Sequence, residues 1–257
     1  MKLIHLNKYS AAAILFIGAA AVFVAIALMT NLSEFISAAF VLSGAILIMT
    51  GIFILMFSGG EPIDPLLVAI LPVQGCMNLC RIGHDLGITG KAYFLPPRIT
   101  GETRVMQFNP TLPYNGDPIS AKESFPKTGP AGLVTIPSCD PLIRVLRKRN
   151  GLVIPNNEEH LTQLINESIG EILEFAPRVS VRWHDNTVTI TLQRYRFIAG
   201  CTLIAQESPG CCTRNPCPVC SLCGALISEG TKKVVTLENC SVSSSSHDVN
   251  AVFSLVS

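Results

Sequence analysis

Five cysteines fall within residues 211–223, in the run Cys211-Cys212-Thr213-Arg214-Asn215-Pro216-Cys217-Pro218-Val219-Cys220-Ser221-Leu222-Cys223. Cys217 and Cys220 form a C-x-x-C pair, and Cys223 repeats the same step. A two-residue gap lets both thiolates turn toward one ion, and thiolates suit zinc or an iron–sulfur cluster. The pattern predicts a metal held by Cys217, Cys220 and one or two of Cys211, Cys212 and Cys223. Adjacent side chains diverge, so only one of Cys211 and Cys212 is expected to join. The ferredoxin-like continuation is missing, because Gly224-Ala225-Leu226-Ile227 stands where a further Cys-Pro is needed. Two other readings stand beside metal: thiol redox chemistry, and simple burial of cysteine as a small hydrophobe.

A second group, Cys76, Cys80 and His84, is spaced i, i+4, i+8 and would lie along one helical stripe. An apolar stripe is the plain reading, and a site completed by the 211–223 run is the sharper one. His160, His184 and His247 stand apart from any partner at a diagnostic spacing. The chain has no glycine-rich phosphate loop, no G-x-S-x-G elbow, no H-E-x-x-H helix and no hydrolase triad pattern.

These residues hang from a membrane anchor. Residues 11–29 and 35–57 carry no charge, and only Thr30-Asn31-Leu32-Ser33-Glu34 separates them. A bilayer core of roughly 30 Å needs about 20 apolar residues in a helix. The expectation is a transmembrane helical hairpin within residues 1–60, followed by one domain over 61–257. A cleaved signal ending near Ala25-Ile26-Ala27 is the alternative for the first stretch. Lys2 and Lys8 precede the first span and the connecting loop has no base, so the positive-inside rule predicts a multi-pass protein of the cell membrane with its C-terminal domain cytoplasmic. A reducing cytoplasm argues for metal, redox chemistry or burial of the ten cysteines rather than disulfides. Once Lys2, Lys8 and Glu34 are set aside, acids and bases balance, which excludes nucleic acid as an expected partner.

Periodicity within 61–257 predicts a mixed pattern. Residues 66–73 form an apolar run suited to a buried strand, and 75–86 a helix closed by Gly87. Short strands are expected at 92–95, 104–108 and 133–136, with a proline-rich loop over 109–130. A helix at 141–149 ends before Gly151 and crowds Arg144, Arg147, Lys148 and Arg149 into its last turn, which suits the helix dipole or anionic lipid headgroups. Residues 157–174 place Leu161, Leu164, Ile165, Ile169, Ile172 and Leu173 on one helix face, with Asn156 or Asn157 as cap. A two-residue turn at Asp185-Asn186 pairs Trp183 with Val188, Val181 with Ile190 and Val179 with Leu192. A helix over 221–229 and strands over 234–242 and 249–256 complete an α+β domain of mostly antiparallel strands.

Residues 220–256 resemble the last helix and two strands of the 4-vinyl reductase type of small-molecule-binding domain. The resemblance rests on Ser221-Leu222-Cys223-Gly224-Ala225-Leu226, Val234-Val235-Thr236-Leu237-Glu238-Asn239-Cys240 and Val252-Phe253-Ser254-Leu255. In that family a second cysteine follows the strand cysteine, here Cys240, whereas this chain has Ala251 near that place. The whole chain also resembles a group of archaeal two-helix membrane proteins of unknown function, which share a Cys-Cys…Pro-Cys-Pro-x-Cys segment and a similar ending. The first resemblance implies an α+β ligand-binding fold. Together these features predict a membrane-anchored binding or sensing module for a small apolar molecule or a protein partner, rather than an enzyme. The competing class is a metal- or thiol-dependent redox enzyme using the 211–223 cysteines.

Overall fold

Two apolar helices, α1 (Lys8–Met29) and α2 (Glu34–Phe57), pack side by side in the first of two units, Met1–Ile63 and Asp64–Ser257. The structure is a computed structural model that describes residues 8–30, 33–57, 63–126 and 129–256. Small residues set the α1–α2 seam. Ala13 and Ala20 are fully buried, and a Cβ on Gly51 would lie 3.2 Å from the Ala13 carbonyl and 2.9 Å from Ile17 Cγ1. Gly44 meets the Ala20 carbonyl in the same way at 3.4 Å, one heptad along. Such residues let apolar helices approach closely where no hydrophobic force separates helix from lipid. The Phe23 and Phe40 rings lie 5.4 Å apart across the pair. Most other side chains of α1 and α2 are apolar and face outward, and Thr50 returns its hydroxyl to the Ile46 carbonyl at 2.9 Å. Three stretches are long and apolar enough to cross a membrane, Ala11–Met29, Glu34–Met56 and Pro65–Asp85, which marks the protein as membrane-associated.

The second unit mixes helices with antiparallel strands. In chain order it contains α3 (Pro65–Ile70), α4 (Val73–Asp85), β1 (Tyr93–Leu95), α5 (Pro97–Thr100), β2 (Met106–Pro110), β3 (Gly132–Thr135), α6 (Asp140–Asn150), α7 (Glu158–Asn166), a π-helical turn (Glu167–Ile172), β4 (Arg178–His184), β5 (Thr187–Gln193), α8 (Ile198–Glu207), α9 (Cys211–Arg214), α10 (Pro218–Thr231), β6 (Val234–Ser243) and β7 (Asp248–Val256). The seven strands form one antiparallel sheet in the order β3-β2-β1-β6-β7-β5-β4.

Alternation along the strands gives the sheet two different faces. Phe94, Val235, Leu237, Phe253, Ala251 and Ile190 point to the main core, whereas Leu95, Phe108, Val134 and Val234 point to a smaller one beneath the 111–121 loop. Helix α10 fills the main core and is buried along nearly its whole length. Its approach to β1 requires glycine at 224, where a Cβ would lie 2.2 Å from the Phe94 ring. Ser228 sits 3.0 Å from the Phe94 carbonyl and fixes the helix along the same strand. Helix α7 packs beside α10 and is tied to the β4–β5 hairpin by Trp183 Nε1 donating to Thr162 Oγ1 at 2.8 Å.

The hairpin has the register that its sequence predicts, with Trp183 opposite Val188, Val181 opposite Ile190 and Val179 opposite Leu192. Asn157 caps α7 by accepting from the Glu159 and His160 amides. Residues 66–73 are not a strand. Asp64 accepts from the Leu66 amide and Pro65 takes the first helical position, so the run starts as helix α3 and continues past Pro72 into α4. An unbroken apolar run has no period with which to separate strand from helix, and the Asp-Pro start decides it. The 157–174 helix is α-helical only to Asn166 and widens into the π turn. Leu161, Ile165 and Ile169 stay fully buried through this change.

Candidate functional site

Four elements converge on one group of thiols. Helix α10 begins at Cys217, an extended cap residue, with Pro218 in the first turn and Cys220 one turn in. The positive end of a helix and its free amides favour thiolates at such positions. The short α9 turn presents Cys212 to this end. Helix α8 supplies Cys201 and is held by a close approach, since a Cβ on Gly200 would lie 2.3 Å from the Ala69 carbonyl of α3.

Strand β6 supplies Cys240 through an irregularity. Leu237 pairs with Phe253 and Asn239 with Val252, leaving Glu238 as an extra residue. This bulge shifts the alternation by one, so Cys240 pairs with Ala251 and shares its core-facing side. Glu238 leaves the ladder toward Lys91, whose ammonium donates to its carboxylate, and accepts from the Ser254 hydroxyl at 2.6 Å. Burial alone would raise the Glu238 pKa, but these hydrogen bonds and the Lys91 charge together hold it below the usual value.

The Sγ atoms of Cys212, Cys220 and Cys240 all lie within 4.8 Å of one another, and Cys220 and Cys240 are 3.9 Å apart. Zinc–thiolate bonds of about 2.3 Å in a tetrahedron place neighbouring sulfurs about 3.8 Å apart, so the triad has the size of one face of such a site. Among the described residues no other set of histidine, cysteine and acidic side chains closes to this range.

Cys217 stands outside this mutually close triad but interacts with it. Hydrogen bonds from the Cys201, Cys212 and Cys220 thiols pull its pKa well below the ordinary thiol value, against the effect of burial. Hydrogen bonds from Cys212 and Cys220 bring Cys240 down to about 5. The donors Cys201, Cys212 and Cys220 are pushed up, chiefly by those same bonds and then by burial. Deprotonated on metal binding, these thiols would present a negative charge suited to a divalent cation.

Two of the five thiols singled out by sequence spacing lie elsewhere. Cys211 points away from its neighbour Cys212, and its thiol lies 3.6 Å from the Cys76 carbonyl. The Cys80 thiol in turn donates to the Cys211 carbonyl at 3.5 Å. Cys76, Cys80 and Cys211 thus form a separate small core, while His84 is exposed beside Asp85. Cys223 is one turn beyond Cys220 and faces the main core, where burial raises its pKa. Spacing does not reveal Cys201, which lies in α8, a helix without a clear amphipathic pattern. Nor does it reveal Cys240, which stands alone on β6, 17 residues after Cys223.

The cluster borders two cavities. One, of roughly 370 Å³, is almost wholly apolar and is lined by Val68, Phe175, Tyr195, Phe197 and Val219 together with Cys201 and Cys217. Its aromatic wall is built edge to face, with Phe175–Phe197 centroids 5.1 Å apart and Tyr195–Phe197 centroids 5.7 Å apart. Burial, and then the nearby cysteines, raise the Tyr195 pKa well above the usual phenol value, so the ring is neutral. The other cavity, of roughly 220 Å³, opens over Cys212 and Cys240 and is also lined by Cys201 and Cys217. Those two cysteines and Ile204 line both chambers.

The basic last turn of α6 is partly committed within the domain. Arg144 pairs with Asp140, and Arg147 reaches Glu229 of α10 at 2.6 Å. No protein-family model, curated protein or solved structure matches this chain.

Proposed function

We propose that residues 64–257 are a membrane-tethered binding or sensing module in which a thiolate-held zinc ion forms part of the wall of an apolar ligand chamber. The observation that carries this reading is the shared position of Cys201 and Cys217, which line the apolar cavity while belonging to the thiol cluster. Cys212, Cys217, Cys220 and Cys240 would hold the ion. A triad this tight suits one ion better than an iron–sulfur cluster, in which thiolates on different irons stand further apart. The ligand is a small apolar molecule, because the cavity offers it aromatic and aliphatic walls and few polar groups.

Elemental analysis of protein purified without oxygen should return about one zinc per chain, and a chelator should lower its melting temperature. Less than about 0.1 metal per chain, with stability unchanged by chelator, would return these cysteines to a packing role. An apolar environment-sensitive fluorophore should brighten on binding, and Leu142→Trp, which enlarges a side chain of the chamber wall, should remove the signal.

In this proposal α1 and α2 cross the bilayer and return the chain to the cytoplasm, as Lys2 and Lys8 direct. A membrane-impermeant maleimide should then label a cysteine introduced by Ser257→Cys only after cells are opened, and labelling in intact cells would reverse the orientation. The second reading is thiol redox chemistry, favoured by the depressed Cys240 pKa beside the protonated Cys220 thiol. Metal-free protein that forms a Cys220–Cys240 disulfide reversibly, with no metal bound in cells, would favour it.

A further inference from the structure

The helical segment α3–α4 carries a second apolar face that the domain does not use. Its inner stripe, Ala69, Val73, Cys76 and Cys80, packs on α8 and α9. At 100° per residue, Leu71, Leu79, Ile82 and Leu86 fall on a different stripe, turned well away from the first. All four are exposed, Leu71 to 77%. Gln74, Asn78, Arg81 and Asp85 form a third, polar stripe between them along one edge, where Gln74 donates to Asn78 at 3.0 Å.

Length and composition alone would let Pro65–Asp85 cross a membrane. Its packing argues against that course. The Cys76 carbonyl accepts from Asn215 Nδ2 at 3.4 Å, and the α3 backbone is locked against Gly200, so the segment is built into the domain along one side. Crossing would also carry Arg81 and Asp85 into or through hydrocarbon. Only seven residues join α2 to α3. Even fully extended, that link spans less than about 30 Å, so α3 stays near the bilayer face at which α2 emerges.

We propose that α3–α4 lies in the plane of the membrane interface, with the Leu71–Leu79–Ile82–Leu86 stripe in the acyl boundary and the domain seated on that leaflet. A helix of this kind buries its apolar face by roughly 5–10 Å below the headgroups while its polar edge stays wet. The bilayer is the chosen occupant because the short tether presents it to this face at very high effective concentration.

The test uses the full chain in lipid vesicles, with the native Trp183 replaced by Phe and one new indole placed at a time. Leu71→Trp and Ile82→Trp sit at exposed positions, and Thr189→Trp on the polar sheet face serves as control. Lipids brominated near the headgroup should quench the first two to a similar degree, and roughly threefold or more beyond the control, while lipids brominated near the bilayer centre quench them less. Strongest quenching by the central bromines at either site would show a crossing helix and overturn the proposal. Quenching no greater than in the control would leave the face to solvent or a protein partner and would equally overturn it. Leu86→Trp, at the far end of the stripe, repeats the measurement should either first variant fail to reach the parent melting temperature.

Discussion

The Cys240 thiol stands 3.9 Å from that of Cys220 because one residue, Glu238, is inserted between the two halves of β6. Above the bulge Val235 and Leu237 face the main core, and below it Cys240 and Val242 do. In an unbroken strand Asn239 would point at the core and Cys240 at the opposite face.

Deleting Glu238 should therefore straighten β6 and leave Cys240 two residues after Leu237, still opposite Ala251 and on the core face. Its metal content should stay close to the parent value. Glu238→Gln keeps the extra residue and loses only the charge beside Lys91, so its metal content should match the parent too. Metal loss in the deletion alone would mean that the cluster needs the bulge itself, and equal loss in both variants would mean that the carboxylate matters.

Cysteine substitutions should divide into two classes. Cys220→Ser and Cys240→Ser should each remove most of the bound zinc, because a three-thiolate remnant binds far more weakly. Cys211→Ala and Cys223→Ala should keep the parent stoichiometry, since those side chains lie in separate apolar packing. Inductively coupled plasma measurements on the four proteins decide the matter, and zinc loss in Cys223→Ala would redraw the ligand set.

Metal-free protein should show a thiolate well below neutral pH. Cys240 is held near pH 5 by hydrogen bonds from Cys212 and Cys220, and rising pH through that value converts thiol to the nucleophilic thiolate. Its alkylation by iodoacetamide, followed by peptide mass spectrometry, should rise across about pH 4–6 and then level. Cys139, which burial pushes up to about 12, should remain unmodified in the same range. A Cys240 profile that climbs only above about pH 8 would place the anionic charge elsewhere.

Gly224→Ala should destabilise the domain by about 2 kcal/mol or more, because its methyl group has to displace the Phe94 ring from 2.2 Å. Chemical denaturation monitored at Trp183 would report the change. The close packing lies in the core and not at the cluster, so metal stoichiometry in the folded fraction should be retained.

Sequence patterns reveal the elements better than the site. The β4–β5 register is legible because a two-residue turn and two alternating strands specify the same pairs. Helix α10 and strands β6 and β7 are legible for the same reason, since period and breakers agree. The 66–73 run misleads because it is apolar on every side, and its α3 helix is announced only by Asp64-Pro65. Helix α8 is hidden by Gly200 and Thr202 and by contacts on more than one side, so Cys201 is hidden with it. The C-x-x-C step does find Cys217 and Cys220, but which face Cys240 takes depends on a bulge that alternating residues do not record.

Gly200 and Cys201 are consecutive residues, and the first touches the α3 backbone while the second belongs to the thiol cluster. The first turn of α8 therefore carries the contact and the sulfur side by side, with no intervening chain to flex. A side-chain-thick cushion that could absorb movement is absent at Gly200, where backbone meets backbone. Close-packed interiors compress little, so a tilt of α3 is passed on to the sulfurs as displacement instead of being lost as slack.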